Sequence, residues 1–398
     1  MPKSSIQKSF NQSLLNATRL TGVGKLMQAT RLIQRALMGS APAARPQANV
    51  QPDVQRNVQR RSSHAANDHQ ANDVPAQVII LPLSPSLKPS TPSQTVPETV
   101  LAPRKSSFTK HQFVFEGDAY PYRLYIPATP VTDTARLMPL VVLLHGCQQD
   151  ALDFSHGTAM NALAEEHQAM VLYPEQITSG NAMRCWNWFD PSHQQAGRGE
   201  PGMIAALARK MIAQHGADPD RVYVAGLSAG GAMAAVVANL YPHLFAAVGV
   251  HSGLAAGAAQ SMMQAFSAMQ EGAKGSHTTA LPTIVFHGSA DQTVNPSNAK
   301  YITQAALAAF KAEGLELVKS KANVTKATVK IPGDETADRT LYSDTNGKPF
   351  VESWRITAGP HAWSGGNAQG SYTDPDGPDA SRAMLAFFLL HHKVDNQQ

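Results

Sequence analysis

Ser228, Asp291 and His361 are the residues around which chemistry can be built. Ser228 sits in "VYVAGLSAGGAM", Val222 to Met233, where Gly226 and Gly230 complete a G-x-S-x-G pattern between an apolar run and an Ala-rich stretch. A serine hydroxyl becomes a useful nucleophile at neutral pH only when a base takes its proton, and that base needs an acid to orient it. In strand-to-helix elbows of this kind the chain order is serine, acid, histidine. Asp291 in "TIVFHGSADQTV" and His361 in "WRITAGPHAWSGG" follow in that order, each on a loop behind a strand-like segment. The competing readings are a helix N-cap for Ser228 and a turn residue binding its own backbone for Asp291. Flanking glycines on both sides weigh against a simple cap, which does not require them. Among 15 histidines, His251 and His287 also follow strands. His251 precedes Asp291, and His287 is only four residues from it, so His361 is the preferred base.

Acyl transfer also needs donors for a developing oxyanion. One is the backbone N–H after the nucleophile, that of Ala229, and the second comes from the loop after an early strand, where "HGCQQ" lies. Cys147 or Gln148 supplies that nitrogen, and the Gln148 side chain is a candidate for substrate contact. The only two cysteines, Cys147 and Cys185, either form a disulfide that pins this loop beside "NAMRCWNWFD" or remain two free buried thiols. Trp186 and Trp363 each neighbour a proposed catalytic loop and are candidates for touching substrate, with core packing as the alternative; Trp188 is a weaker candidate. The acidic run "TDPDGPD" reads as a structured turn around Asp376 and Gly377 rather than a cation site. The chemistry requires no metal and no organic cofactor.

Positioning these residues takes alternating strands and helices, and the sequence supplies them from about residue 108. "PLVVLLHG", "AMVLYP", "RVYVAG", "FAAVGVHSG", "LPTIVFHG" and "VESWRITAG" read as short strands. "MNALAEEHQ", "PGMIAALARKMIAQHG", "SAGGAMAAVVANLYP", "NAKYITQAALAAFKAEG" and "DASRAMLAFFLLHHK" read as helices. Apolar strands separated by such helices predict an α/β domain over 108–392, a mostly parallel central sheet with helices on both faces. A tail, 393–398, follows. Ahead of the domain, residues 1–39 read as a basic amphipathic helical segment, broken near Gly22 to Gly24. Residues 40–107 form a Pro/Gln/Ser-rich linker in which "VIILPL" is the one run able to dock as an edge strand.

The 398 residues are 43% hydrophobic and 16% charged, the composition of a soluble protein, with a formal charge of +4. That charge is uneven. Residues 1 to 61 hold ten Lys or Arg against Asp53 alone, leaving 23 basic and 28 acidic groups in the remainder. A net acidic body argues against a nucleic-acid partner. The basic segment 13–39 reads first as packing on protein or self-associating, with a polymer-granule or membrane surface and a processed targeting segment as the alternatives. The N-terminus lacks a secretory pattern, which predicts a cytoplasmic, granule-associated location, while the paired cysteines argue the other way if bonded. Nothing in the sequence sets an oligomeric state.

The stretches "LLHGCQQDALDF", "RCWNWF", "GEPGMIAAL", "DPDRVYVAGLSAGGAMAAVVANLYPHLFAAVGVHSG", "PTIVFHGSADQTVNP", "GPHAWSGG" and "GSYTDPDGPDASRAM" carry a resemblance that spans nearly all of 110–392. The body resembles the polyhydroxyalkanoate (PHB) depolymerase family of esterases in the α/β-hydrolase superfamily. The resemblance implies an α/β-hydrolase fold and a serine esterase acting on poly- or oligo(3-hydroxyalkanoate) esters. It assigns the nucleophile to Ser228, the acid to Asp291, the base to His361 and the second oxyanion donor to the nitrogen of Cys147. It also implies that Trp186 helps to bind the hydroxyacid chain. Feruloyl and acetylxylan esterases are related, which makes a carbohydrate-linked ester the alternative substrate.

Overall fold

The computed structural model describes residues 105–128, 137–276, 279–325 and 335–393. The expected helical segment 1–39, the stretch "VIILPL" and nearly all of the expected linker lie outside the described residues.

A ten-stranded sheet runs through the molecule. Its strands are β1 (Ser107–Phe115), β2 (Asp118–Ile126), β3 (Met138–Leu144), β4 (Met170–Pro174), β5 (Ala217–Leu227), β6 (Ala247–His251), β7 (Thr283–Gly288), β8 (Val318–Thr325), β9 (Glu335–Ser343) and β10 (Pro349–Ile356). Their spatial order is β1-β2-β4-β3-β5-β6-β7-β10-β9-β8. The six central strands, β4 to β10 in that order, are parallel. Antiparallel pairs finish both edges. Two short strands, β11 (Trp363–Ser364) and β12 (Thr373–Asp374), pair separately.

The helices are α1 (Ala151–Thr158), α2 (Met160–His167), α3 (Gly199–His215), α4 (Ala229–Leu240), α5 (Met262–Glu271), α6 (Ser297–Ala312) and α7 (Ala380–Leu389). Each residue of β3, "MPLVVLL", is buried, as expected for a strand covered on both faces. Its side chains alternate between two cores. Leu140, Val142 and Leu144 join Met203 and Leu207 of α3 and Met233 and Val236 of α4 on one side. Val141 and Leu143 join Phe154 of α1, Met160 of α2 and Met384 and Phe388 of α7 on the other. No helix among the described residues is long and apolar enough to cross a membrane.

The central strands and five of the helices follow the sequence pattern. The edge strands β1, β2, β8 and β9 and the helices α1 and α5 do not announce themselves in it. In β1, "SFTKHQFVF", every residue is partly or fully exposed, so an edge hairpin leaves no continuous apolar signature. Helix α5, "MMQAFSAMQE", buries only Ala265 and Ala268.

Candidate active site

Strand β5 ends at Leu227 and α4 begins at Ala229, so Ser228 alone forms the turn. Its backbone is left-handed in φ, 57°, with ψ at −120°, and its side chain makes no capping bond to α4. A strained turn at one serine requires bare backbone around it. A Cβ at Gly230 would overlap the carbonyl oxygen of Leu144, and one at Gly226 would overlap the backbone of Gly230. The Ser228 N–H donates to the carbonyl of His251 at 2.9 Å, which ties the turn to β6.

His361 stands on the loop after β10 and Asp291 on the loop after β7, adjacent parallel strands that deliver both loops to the same edge of the sheet. The Nε2 of His361 lies 2.8 Å from Ser228 Oγ, and its Nδ1 lies 2.8 Å from Asp291 Oδ2. A carboxylate can only accept, so Nδ1 carries the proton and Nε2 is free to accept the serine hydroxyl hydrogen.

Asp291 makes the bonds that each of its two sequence readings requires. Its Oδ1 accepts the backbone N–H groups of Thr293 and Val294, both at 2.9 Å, which shapes the loop. Its Oδ2 receives His361 and, more weakly at 3.3 Å, the Nε2 of His287, whose nearer partner is the Val294 carbonyl at 2.9 Å. Burial pushes this carboxyl up, but the hydrogen bonds and charges of His287 and His361 outweigh it and hold Asp291 well below the ordinary carboxylate range. His287 therefore serves the acid rather than the serine. That role lay in its four-residue spacing from Asp291, a spacing that set it aside as a base.

His251 is also excluded as the base. It is fully buried, stacked between Phe286 and Trp363. Its Nδ1 contacts Ser252 Oγ at 3.2 Å, and its Nε2 accepts the N–H of Ser364 at 3.0 Å. Burial, above all, drives its pKa down to about 3, so the ring is neutral and holds the segment that follows His361.

The "HGCQQ" loop leaves one backbone donor unspent. Gly146 N–H goes to Gln149 Oε1 at 2.9 Å, and Gln148 N–H goes to Met183 O at 2.7 Å. The N–H of Cys147, like that of Ala229, donates to no group among the described residues. This separates Cys147 from Gln148, which the loop pattern alone leaves equivalent. His145 braces the loop: Nδ1 bonds the Gly146 carbonyl, Nε2 accepts the Gln176 N–H, and its carbonyl accepts the indole N–H of Trp186. Burial pushes its pKa down to about 4, so it too is neutral.

Cys147 and Cys185 are joined by a disulfide. It fastens the loop to "NAMRCWNWFD". The buried carboxylate of Glu200 anchors that segment in turn, accepting the N–H and the side-chain amide of Asn187 and the amide of Gln176.

A cavity of about 550 Å³ opens over Ser228 and His361, with Cys147, Gln148 and Ala229 in its wall. Trp188, Phe189, Met262, Phe266 and Met269 make much of the rest apolar. Trp186 borders the cavity but is wholly buried, its indole N–H spent on the His145 carbonyl, contrary to the expectation that it touches substrate. Trp363 does not belong to this wall, contrary to the expectation that it touches substrate. It is 1% exposed, packs edge-on against Phe154, and donates its indole N–H to Ser381 Oγ at 2.9 Å. Because β11 turns its side chain under the loop, proximity to His361 in sequence places it in the core. Tyr372 and Met183 lie inside "GSYTDPDGPDASRAM" and "NAMRCWNWFD", but nothing in their spacing marks them as wall residues, and the α5 residues of the wall carry no motif. Among the described residues no group of three or more His, Cys, Asp or Glu side chains is arranged to hold a metal. The "TDPDGPD" run forms a turn in which Asp374 O accepts Gly377 N–H.

Comparison with known proteins agrees with this architecture. A family described as "Esterase PHB depolymerase" matches residues 120–314. The chain is 33% identical over 238 residues to poly(3-hydroxyalkanoate) depolymerase C of Paucimonas lemoignei, covering 56% of this chain and 54% of that one. The chain thus spans about half the length of that depolymerase. It is 30% identical over 221 residues to feruloyl esterase B of Thermothelomyces thermophilus, covering 50% of this chain and 74% of the other. Among solved structures, the acetyl xylan esterase from Aspergillus awamori superposes with a TM-score of 0.51 at 21% identity, over 71% of this chain and 99% of that one, a likeness of fold. A parallel sheet with a serine elbow after β5, matched by this family over residues 120–314, leads to one conclusion: the chain belongs to the PHB depolymerase family of esterases, in the α/β-hydrolase superfamily.

Proposed function

We propose that the protein is a serine-dependent carboxylic ester hydrolase acting on poly- or oligo(3-hydroxyalkanoate) esters. The observation that carries this reading is the continuous chain from Ser228 Oγ through His361 to Asp291, at a cavity whose wall also holds Cys147 and Ala229. In it, His361 Nε2 takes the Ser228 proton as Oγ bonds to the ester carbonyl carbon. The negative charge on the carbonyl oxygen is met by the N–H groups of Ala229 and Cys147, and the carboxylate of Asp291 stabilises the imidazolium. Collapse breaks the ester C–O bond, and His361 returns its proton to the leaving hydroxyl. Water then attacks the acyl-serine, giving its proton to the same imidazole; collapse breaks the acyl–Oγ bond, His361 returns the proton to Ser228 Oγ, and the acid is released.

An aromatic and methionine-rich wall supports a substrate with short apolar segments, such as the CH(CH3)–CH2 units between the esters of 3-hydroxybutyrate, since Met and aromatic rings adapt to apolar chains. The likeness to a depolymerase supports the same class. A second reading, an ester of a feruloyl or acetyl group on a carbohydrate, is favoured by the likeness to feruloyl esterase B. A substrate panel decides between them: 3-hydroxybutyrate oligomers and amorphous polymer against feruloyl and acetyl sugars. Hydrolysis of the first pair alone supports the proposal, and hydrolysis of the sugars alone replaces it with the second reading.

The basic segment 13–39 is proposed to anchor the enzyme on a polymer-granule or membrane surface; unchanged granule co-sedimentation after deletion of residues 1–39 overturns this. The Cys147–Cys185 bond supports an oxidising compartment over a reducing cytoplasm. Quantifying free thiols in protein taken directly from cells tests that assignment.

A further inference from the structure

Tyr372 lies on the loop between β11 and β12 and lines the cavity together with Ser228 and His361. Its backbone is left-handed, φ 53°, a conformation that sterics penalise for a residue carrying a side chain. The chain holds it there with a dense clasp. Trp363 N–H donates to the Tyr372 carbonyl at 2.7 Å. Its neighbour Ser371 donates its N–H to Asp153 Oδ1 at 2.8 Å and its hydroxyl to Asp153 Oδ2 at 2.6 Å. The buried amide of Gln149 donates to Ser371 O at 2.9 Å and to Asp153 Oδ2 at 2.9 Å. The other end of the same side chain, Oε1, accepts Gly146 N–H, so Gln149 sets the oxyanion loop and the Tyr372 loop together.

The product of this clasp is a large aromatic ring left 39% exposed at the cavity, with a phenol that bonds no group among the described residues. A strained backbone held in place to present an unpartnered phenol is more than packing requires, and such strain collects at sites that bind ligands. Building on the esterase reading above, we infer that Tyr372 is a substrate-binding residue that sets specificity. Its ring covers the hydrocarbon of the ester chain beyond the scissile carbonyl, and its O–H donates to a neutral oxygen farther along, such as the carbonyl of the next ester unit. Gln149 and Asp153 act through it as positioning residues.

The test compares the full chain with Tyr372→Phe and Tyr372→Ala on two substrates. One is p-nitrophenyl butyrate, which has no second ester; the other is the methyl ester of a linear 3-hydroxybutyrate trimer. Tyr372→Phe is expected to lower the trimer-to-butyrate ratio of kcat/KM roughly tenfold, chiefly through KM for the trimer. Tyr372→Ala is expected to lose more on the trimer than Tyr372→Phe does. A trimer-to-butyrate ratio unchanged in both variants overturns the inference. An equal fall on both substrates also overturns it, because it places Tyr372 at the reacting carbonyl or in the support of the fold. A parent that cleaves the butyrate but not the trimer refutes only the polyester reading. The same variants on p-nitrophenyl acetate and octanoate then decide whether Tyr372 reads chain length, an unchanged octanoate-to-acetate ratio being the negative result.

Discussion

The Nε2 of His361 lies 2.8 Å from the hydroxyl of Ser228, a serine that stands at the start of α4 and does not cap it. The hydroxyl is aimed at a base rather than at the helix.

Ser228→Ala is therefore expected to lower kcat/KM on any cleaved ester by at least about 10⁴-fold while leaving the melting temperature within a few degrees. Steady-state kinetics beside a thermal melt checks this; undiminished hydrolysis rejects Ser228 as the nucleophile.

His287 adds a weaker, shared contact to the acid: its Nε2 lies 3.3 Å from Asp291 Oδ2 and 2.9 Å from the Val294 carbonyl. His287→Leu should bring the Asp291 carboxyl back toward its ordinary range and lower kcat roughly tenfold with little change in KM. The folded pKa of Asp291 is depressed, so its contribution to stability is present above the unfolded value of about 4 and is lost as pH falls below it. A weaker depression leaves less stability to lose, and acid unfolding of the variant should begin at higher pH. Circular dichroism across pH 2 to 6 reads this directly, and coincident acid transitions in parent and variant contradict it.

The neutral ring of His145 predicts a separate pH effect. Burial lowers its folded pKa to about 4, whereas an unfolded chain protonates near 6.5. Its contribution to stability is full above about pH 6.5 and declines as pH falls toward 4. In NMR titration the His145 ring should stay neutral at pH 5.5; a midpoint near 6.5 would show that the brace on the oxyanion loop is solvated.

Gly230 can carry no side chain, because a Cβ there would overlap the carbonyl oxygen of Leu144. Gly230→Ala should cost at least about 3 kcal/mol and displace the elbow. The expected result is a sharply lowered denaturation midpoint with activity lost in whatever remains folded. An alanine variant with parental stability would mean that β3 and α4 are not packed backbone to backbone.

The disulfide joins positions 38 residues apart in sequence. Replacing both cysteines by serine keeps the backbone N–H of residue 147 but releases the loop from its partner. Stability should fall by about 3 kcal/mol, within the usual range for such a bridge. Activity should fall further than stability explains, and melting curves paired with kcat measured well below the transition separate the two. A variant of parental kcat shows that His145 and Gln149 hold the loop without the bond.

By itself the sequence determined the order of serine, acid and histidine and the strand–helix alternation that carries them. Those signals are local: glycines where backbones touch, and apolar runs where strands are covered on both faces. The loop pattern leaves Cys147 and Gln148 equivalent and only the resemblance points to Cys147; which N–H groups are already spent, on Gln149 and Met183, is decided by the tertiary structure. The second contact to Asp291 likewise depends on where the loop folds back. Trp363 shows the reverse case, a residue two positions from His361 that the fold turns into the core. Tyr372 reaches the cavity only because Gln149 and Asp153, more than 200 residues earlier, clasp its neighbour. Spacing along the chain specifies which residues meet one strand or helix; which side chains face the cavity is decided by contacts between distant loops, and those exist only in the folded state.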